Sequence, residues 1–483
     1  MSTAARPALE IRRHRSPHWV AWALFGVDVA ALEAAFLLGL GVRLLLAPWL
    51  IYTIGLAQYF GVAVAILLLP MVHYQLGLYP GFLLGPVERL RRRTLATFAV
   101  FGGLVAWDNI VERGVLSRGV ILATFLFALV LPPLVESLAR RFLVRRKRWG
   151  VPVVMLGAGE TARAVARTLV AEPLLGLVPV AFLDNRPESW NTAIEGVPVA
   201  GPLALVNEFE GRVEAVIVVL NEVLNEVGRD DLSTLLHELN FPRVIVIPDL
   251  AGLASLWVAA RDVGGCLGLE IKKNLLIGRN TAFKRFMDQA LALPLFLLAL
   301  PVMAAAAVWI RLSSRGPVFY RQVREGFAGR RIAVWKLRTM YLDGDRLLEQ
   351  WFEKHPEDQL RWQRYFKLRK DPRVLPGIGR FLRRTSLDEL PQLWSVLQGH
   401  MSLVGPRPLP DYHLEHFPPE FRSLRTRVLP GLSGLWQISA RGDGDLKVQQ
   451  ALDTYYIRNW SPWLDLYILA RTVVAVLLAR GAY

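Results

Sequence analysis

One cysteine, Cys266, in 483 residues leaves nothing from which to build a disulfide framework or a cysteine-based zinc site. Acidic side chains are also in short supply: 41 Asp and Glu stand against 57 Lys and Arg, a formal charge of +16. Polar residues are a minority, since 53% of the chain is hydrophobic and the mean hydropathy is +0.32. A chain this apolar can bury surface, which excludes disorder as its main state. Its length suggests about two to four domains rather than a single soluble one. The basic excess leaves three classes of partner open (nucleic acid, a membrane surface and anionic substrates), and its distribution decides among them.

That distribution is uneven. Residues 1–150 carry a net +10, residues 151–261 a net −7 and residues 262–483 a net +13. The first block holds four apolar stretches, 19–40, 49–72, 94–111 and 119–135. Each has about 17–24 residues, close to the length that crosses a ~30 Å hydrocarbon core. The first is too long and, with Asp28 and Glu33, too acidic for a cleaved signal peptide. Arg6, Arg12, Arg13 and Arg15 precede the first stretch; Arg89, Arg91, Arg92 and Arg93 separate the second from the third. Arg140, Arg141, Arg145, Arg146, Lys147 and Arg148 follow the fourth, while the remaining connectors hold only Arg43, Arg113 and Arg118. By the positive-inside rule the N-terminus is cytoplasmic and four crossings return the chain to that side. Asp28, Glu33 and Asp108 are either a polar pathway or bundle-facing carboxylates paired with neighbours.

A fifth apolar stretch, 289–310, has basic residues at both ends: Lys272, Lys273, Lys284 and Arg285 before it, Arg311 and Arg315 after it. Pro294 and Pro301 interrupt its helical pattern. A helix–break–helix that enters and leaves the same leaflet fits both features; a kinked ordinary span is the alternative.

The acidic middle block alternates strands and helices. Strands are expected at 151–156, 178–183, 215–220 and 244–247, with a helical pattern running to Val170, which implies a parallel doubly wound sheet. Gly157 and Gly159 follow the first strand, where a tight turn lets a pyrophosphate approach a helix N-terminus, and Asp184 ends the second strand, the place of a ribose-binding acid. The third glycine of that pattern is replaced by Ala162, and no His, Tyr or Lys constellation stands nearby. Ligand binding, or a fold kept for regulation or dimerisation, are both open readings of this block.

The last block concentrates chemistry. Lys284-Arg285-Phe286-Met287-Asp288 opens the apolar stretch, and Trp335-Lys336-Leu337-Arg338 follows it. Then come Arg383-Arg384-Thr385-Ser386-Leu387-Asp388-Glu389-Leu390-Pro391, Met401-Ser402-Leu403-Val404-Gly405-Pro406-Arg407-Pro408, and a run from Pro430 to Arg441. Ser386 and Glu389 have the spacing of a helix capping box, which is one reading of Glu389. The other takes Asp388 and Glu389, adjacent carboxylates behind two arginines, as an anion-handling site. In it Asp388 is nucleophile or metal ligand and arginines hold phosphates or lipid headgroups. Magnesium commonly binds through few protein carboxylates together with substrate phosphates.

The ordered motifs from Lys284 to Arg441 closely resemble the bacterial sugar transferases that move a hexose-1-phosphate from a UDP-sugar to polyprenyl phosphate. Four N-terminal spans and a Rossmann-like domain further resemble the large, galactose-transferring members and their glucose-transferring relatives. The resemblance implies Mg2+, with Mn2+ as an alternative, and two steps. Asp388 attacks the β-phosphorus of the UDP-sugar to release UMP, and undecaprenyl phosphate then takes the phosphosugar. It makes Glu389 the second member of the dyad and Lys336 and Arg338 the basic pair of a Lys-aromatic-Arg motif whose aromatic residue is here Leu337. It offers Arg383, Arg384, Arg407 and Arg441 for phosphate contacts, and Asp453, with Tyr456, Asn459 and Ser461, as a terminal element that is either functional or a structural helix. Pro301 matches the proline that breaks the re-entrant helix, although Leu300 stands where the family usually has Ser. Lys284, Arg285 and Asp288 match its entry anchor, expected to snorkel toward headgroups.

The expectation is a mixed membrane protein. It comprises a four-helix transmembrane bundle (1–148), a Rossmann-like cytoplasmic domain (149–262), a linker (263–283) and a re-entrant membrane helix (284–312). A small α-rich cytoplasmic catalytic domain with interfacial C-terminal helices (313–483) completes it. It would sit in a bacterial inner membrane, act on a UDP-hexose, galactose before glucose, and pair as a homodimer through the middle domain. A non-catalytic scaffold is disfavoured by the intact Asp388-Glu389 pair. A nicotinamide-dependent sugar-modifying enzyme lacks its catalytic constellation. Nucleic acid is not needed to account for the charge.

Overall fold

The computed structural model describes residues 17–49, 60–111, 116–227, 239, 241–248, 258–263, 266–271, 275, 278–365, 368, 371–439 and 446–477. The chain forms two compact units, Met1–Gly252 and Leu253–Tyr483.

The first unit begins with helices α1 (Pro17–Leu45), α2 (Phe60–Ile66), α3 (Leu68–Gln75), α4 (Pro86–Ile110) and α5 (Arg118–Arg145). Two of these, His18–Leu45 and Arg118–Arg145, are long and apolar enough to cross a membrane. On α5 the residues Leu122, Leu126, Val130, Leu134, Leu138 and Phe142 recur every fourth position and are all exposed, whereas Glu136 and Arg140 are buried. Apolar side chains outward and charges inward is the arrangement that lipid, not water, favours. The expected stretch 94–111 is the later part of α4, whose opening turns carry Arg89, Arg91, Arg92 and Arg93. The stretch 49–72 lies partly outside the described residues, and its described part is two short helices rather than one span.

The charges inside this helical layer are paired. Asp28 accepts hydrogen bonds from Arg93 at 2.8 Å and from the hydroxyl of Tyr79, and lies 2.8 Å from His73. Glu136 meets Arg93 at 2.7 Å and also holds Arg140. Asp108 accepts the Leu116 amide at 3.0 Å. The paired alternative therefore holds for Asp28 and Asp108.

The same unit continues into strands β1 (Val151–Leu156), β2 (Leu177–Leu183), β3 (Ala193–Ile194), β4 (Val197–Gly201), β5 (Ala215–Val219) and β6 (Arg243–Ile247), with helix α6 (Glu160–Ala171) after β1 and α7 (Leu220–Val227) after β5. The sheet order is β3-β4-β2-β1-β5-β6, and every pairing is parallel except the β3–β4 edge. The order reverses at β1, so the loops after β1 and β5 flank the switch point of a doubly wound sheet. Val153, Val154, Met155, Ile217 and Val218 are buried because parallel strands are covered on both faces.

The second unit starts with an antiparallel pair, Val258–Val263 with Cys266–Ile271. The expected linker 263–283 therefore contains a strand, and the boundary falls after Gly252 rather than at 262, because Val258–Val263 pairs forward within its own hairpin. The helix Gly278–Ser313 is the third that is long and apolar enough to cross a membrane. Pro294 and Pro301 lie inside it without dividing it; a proline removes one amide donor and can bend a helix without ending it. Its buried residues Lys284, Asp288, Ala292, Ala299, Met303, Ala306 and Ile310 follow helical spacing along one face. The other face leaves Phe286, Leu293, Leu297 and Leu298 exposed, the last at 72%.

Around this helix are the antiparallel hairpin Phe319–Glu325 with Arg331–Leu337, the short helices Ile378–Thr385 and Gln392–Leu397, and a parallel pairing of Ser402–Val404 with Gly431–Ser433. The helices Leu446–Asn459 and Pro462–Leu477 complete the unit. Ala306 and Ile310 share one apolar cluster with Leu337, Leu375, Ile378 and Leu382.

Candidate active site

The Asp388-Glu389 pair lies on a single 3-10 turn, Leu387–Glu389, between the helices Ile378–Thr385 and Gln392–Leu397. Leu387 packs against the apolar cluster at the end of the long helix, and that contact seats the turn. Ser386 adopts a left-handed conformation (φ 57°) and its side chain makes no capping hydrogen bond. The capping-box reading of Glu389 is thereby corrected, because an N-cap needs extended backbone at that residue. Glu389 faces cations instead: Lys336 Nζ donates to its Oε1 at 2.7 Å, and Arg407 donates to the same oxygen at 2.6 Å.

Lys336 reaches Glu389 because of strand alternation. Ile332, Val334 and Lys336 lie on one face of the strand Arg331–Leu337, the first two buried and the third at the strand's end with its amine free to extend. The consequence is two adjacent carboxylates in unlike environments. Burial would raise Glu389, but Arg407 and Lys336 outweigh it and hold the group well below the usual carboxylate range. Asp388, 8% exposed, is pushed up to about 6 by burial and by the neighbouring Glu389 charge, against the attraction of Lys336, Arg383 and Arg407. No hydrogen bond from the described residues reaches the Asp388 carboxylate. A locked anion beside a free carboxylate separates the roles of two chemically similar groups.

Arg407 is delivered by a tightly packed backbone. A Cβ on Gly431 would lie 2.0 Å from the amide nitrogen of Gly405, and a Cβ on Gly405 would lie 2.6 Å from the Leu429 carbonyl, so glycine is required at both positions. The Arg407 carbonyl accepts a hydrogen bond from Arg425, whose other terminal nitrogen donates to Asp453 at 2.7 Å. Burial raises Asp453 to about 6 despite Arg425. Asp453 therefore acts through Arg425 on the Arg407 backbone and does not line the site. Tyr456 donates to the Val404 carbonyl at 2.8 Å, and Asn459 Nδ2 to the Tyr455 carbonyl at 2.8 Å.

The remaining basic residues divide. Arg383 donates from Nε to the Thr339 hydroxyl at 3.0 Å and contributes to the field at Asp388, while Arg384 is exposed on the same helix. Arg338 turns away from the dyad: it donates to the carbonyls of Arg315 and Ser314, each at 2.8 Å, just past the end of the long helix. Gly316, with φ +118°, makes room for it, since a Cβ there would lie 2.8 Å from the Arg338 guanidinium. Arg441 lies outside the described residues. At the other end of the helix, Lys284 is buried and bonded to Asp288 at 3.0 Å and Asp465 at 2.7 Å, and Asp288 accepts the Ser402 hydroxyl at 2.7 Å. Neither snorkels: Lys284 is held by the carboxylates of Asp288 and Asp465, and Asp288 by Lys284 and Ser402, all within the unit. Arg285 alone of the three is exposed, and so is Pro301.

In the first unit, Asp184 is fully buried and already engaged. Its carboxylate accepts the amides of Ala158 at 3.0 Å and Arg186 at 2.8 Å, together with the Arg186 guanidinium.

Sequence reasoning missed Arg425, which carries no motif and meets Asp453 only across 28 residues of packing. A magnesium ion would find in Asp388 a carboxylate that no hydrogen bond from the described residues occupies, a sparse donor set of the kind this ion completes with substrate phosphates.

The profile of the bacterial sugar transferase family matches residues 279–479, and that of a CoA-binding domain matches residues 73–226. The chain is 31% identical over 399 residues to the UDP-galactose-lipid carrier transferase of Erwinia amylovora, covering 81% of each. It is 31% identical over 401 residues to the undecaprenyl-phosphate galactose phosphotransferase of Salmonella typhimurium, again 81% of each. To the UDP-glucose:undecaprenyl-phosphate glucose-1-phosphate transferase of Klebsiella pneumoniae it is 30% identical over 365 residues, 73% of each.

Proposed function

Because the chain belongs to the bacterial sugar transferase family, we propose that it transfers a hexose-1-phosphate from a UDP-sugar to undecaprenyl phosphate through a phosphosugar held covalently on Asp388. The observation that carries this reading is the asymmetry of the dyad: a carboxylate that no hydrogen bond from the described residues reaches, next to one fixed by Lys336 and Arg407. The Asp388 carboxylate attacks the β-phosphorus. The bond from that phosphorus to the oxygen bridging the two phosphates breaks, and UMP leaves with the bridging oxygen and the electron pair. A phosphate oxygen of undecaprenyl phosphate then attacks the same phosphorus, the acyl-phosphate bond breaks, and the carboxylate is restored. Lys336 and Arg407, held on Glu389, are placed to balance negative charge that gathers as the phosphates meet. Asp388 and the substrate phosphates would hold a magnesium ion, which would supply further charge neutralisation. Galactose is proposed first and glucose second: the chain covers 81% of the two galactose-transferring relatives and 73% of the Klebsiella pneumoniae glucose-transferring one. The product would begin a surface polysaccharide. Labelled UDP-galactose and UDP-glucose offered with undecaprenyl phosphate and Mg2+ test the reading; no lipid-linked product from any UDP-hexose sinks it.

In the same assay the rate should depend on pH with a defined sign. Asp388 attacks as the carboxylate, and its protonated fraction grows as pH falls through about 6. The initial rate of UMP release should therefore fall about tenfold per unit below that value, whereas a flat profile from pH 5 to 8 would contradict the assignment.

The long helix is proposed to enter and leave one leaflet, the cytoplasmic one. Its contacts with the catalytic unit run from Asp288 with Ser402, through Phe296 against Trp394, to Trp309 stacked on Phe381, so both ends rest on the same body. With Cys266 replaced by Ala, cysteines introduced at Arg279 and Arg315 should both react with an impermeant maleimide in inverted vesicles and neither in spheroplasts. Opposite sidedness would establish a crossing.

A further inference from the structure

The fold of the middle domain and its match to a CoA-binding profile imply a nucleotide ligand at the glycine-rich turn after β1. Such a ligand would place its pyrophosphate on the free amides of that turn and of the first turn of α6. Five of those amides are spoken for. Gly157 donates to the Leu183 carbonyl at 2.9 Å, and Ala158 donates to Asp184 at 3.0 Å. Three of the next four belong to one side chain: Glu222 accepts Gly159 at 2.7 Å on Oε2, and Thr161 at 3.1 Å and Ala162 at 3.2 Å on Oε1. Glu222 comes from α7, the helix that follows β5, so it reaches the turn from the opposite flank of the switch point.

The glycines fit the carboxylate closely. A Cβ on Gly157 would lie 2.7 Å from Glu222 Oε2, and a Cβ on Gly159 would lie 2.5 Å from Oε1. Close approach of an anion to bare backbone is what these glycines serve in a nucleotide fold; here the anion is part of the chain. Asp184, the ribose acid of the pattern, is likewise turned inward and bound by Ala158, Arg186 and Ser189. An incoming diphosphate would have to evict one carboxylate and lie beside another, two like charges at short range.

We infer that Glu222 is the resident anion of this turn, that it stands where a ligand phosphate would, and that the domain is a closed nucleotide fold taking neither CoA nor a dinucleotide there.

Hydrogen exchange read by mass spectrometry on the full-length chain in nanodiscs gives a local readout that ligand binding at the Asp388 site does not confuse. In the wild type, peptides covering residues 157–162 should be protected and should not change with millimolar CoA or NADH. Glu222→Gln keeps the shape and removes the charge, and should speed exchange of those amides roughly tenfold, the order expected when hydrogen bonds to a charged acceptor are weakened. Added protection of this segment by CoA or NADH in the wild type overturns the inference. So does a Glu222→Gln protein whose exchange there matches the wild type.

Discussion

Asp388→Asn should abolish UMP release from UDP-sugar, by at least about a thousandfold, while leaving the protein folded. Asparagine keeps the shape and volume of the side chain but offers no carboxylate to attack phosphorus. The fold should survive because no hydrogen bond from the described residues holds the Asp388 carboxylate, and burial outweighs the attraction of Lys336, Arg383 and Arg407. Burial raises the group to about 6, so the folded protein binds that proton more tightly than an unfolded chain does, and ionised Asp388 costs stability at neutral pH. The variant should therefore unfold at or above the wild-type temperature at pH 7. Glu389 carries the reverse sign. Held charged by Arg407 and Lys336, it contributes stability above its ordinary range that is lost as pH falls, so its neutralisation should cost stability. Measuring UMP release and unfolding on the same preparations separates nucleophile from scaffold. An Asp388→Asn protein that still turns over would remove the aspartate from the chemistry.

Arg425→Met should be the most damaging change away from the dyad. It leaves Asp453 buried without its cation, and breaking such a pair typically costs about 3–5 kcal/mol. For a unit of this size the loss should lower the unfolding midpoint on the order of 10 °C. Activity should fall as well, because the Arg407 carbonyl loses its donor and the guanidinium that holds Glu389 loses its register. Protonation relieves a buried carboxylate, and Asp453 sits above the ordinary carboxylate value. Its cost therefore appears as pH rises from about 4 toward 6 and persists above. The deficit of Arg425→Met should accordingly be smaller at pH 5 than at pH 7, and Arg425→Met with Asp453→Asn should recover much of the stability. Equal deficits at both pH values would mean that packing, not charge, is what Arg425 supplies.

Local signals carried much of the fold. The apolar run 151–156 is β1 itself, and the strands expected at 178–183, 215–220 and 244–247 lie within one residue of β2, β5 and β6. Parallel strands buried on both faces leave uninterrupted apolar runs, which sequence displays directly. The adjacency of Asp388 and Glu389 was equally visible, being covalent. What sequence could not display was who faces whom. Ser386 and Glu389 have capping-box spacing, but the left-handed turn at Ser386 is set by packing of Leu387. Lys284 reads as a headgroup anchor until Asp465, far along the chain, is folded against it. Arg338 lies two residues past Lys336 yet serves the end of the long helix, because the strand ends between them. Gly157 and Gly159 announce an anion without saying that Glu222 supplies it.

The covalent phosphosugar proposed on Asp388 can be trapped directly. Purified protein incubated with UDP-sugar and Mg2+, without undecaprenyl phosphate, quenched and digested, should yield a peptide containing Asp388 heavier by one hexose phosphate, together with UMP. The adduct should be absent from Asp388→Asn and should disappear when undecaprenyl phosphate is added. UMP that forms only when undecaprenyl phosphate is present, with no modified peptide at any time, would contradict it and indicate direct transfer between the two substrates.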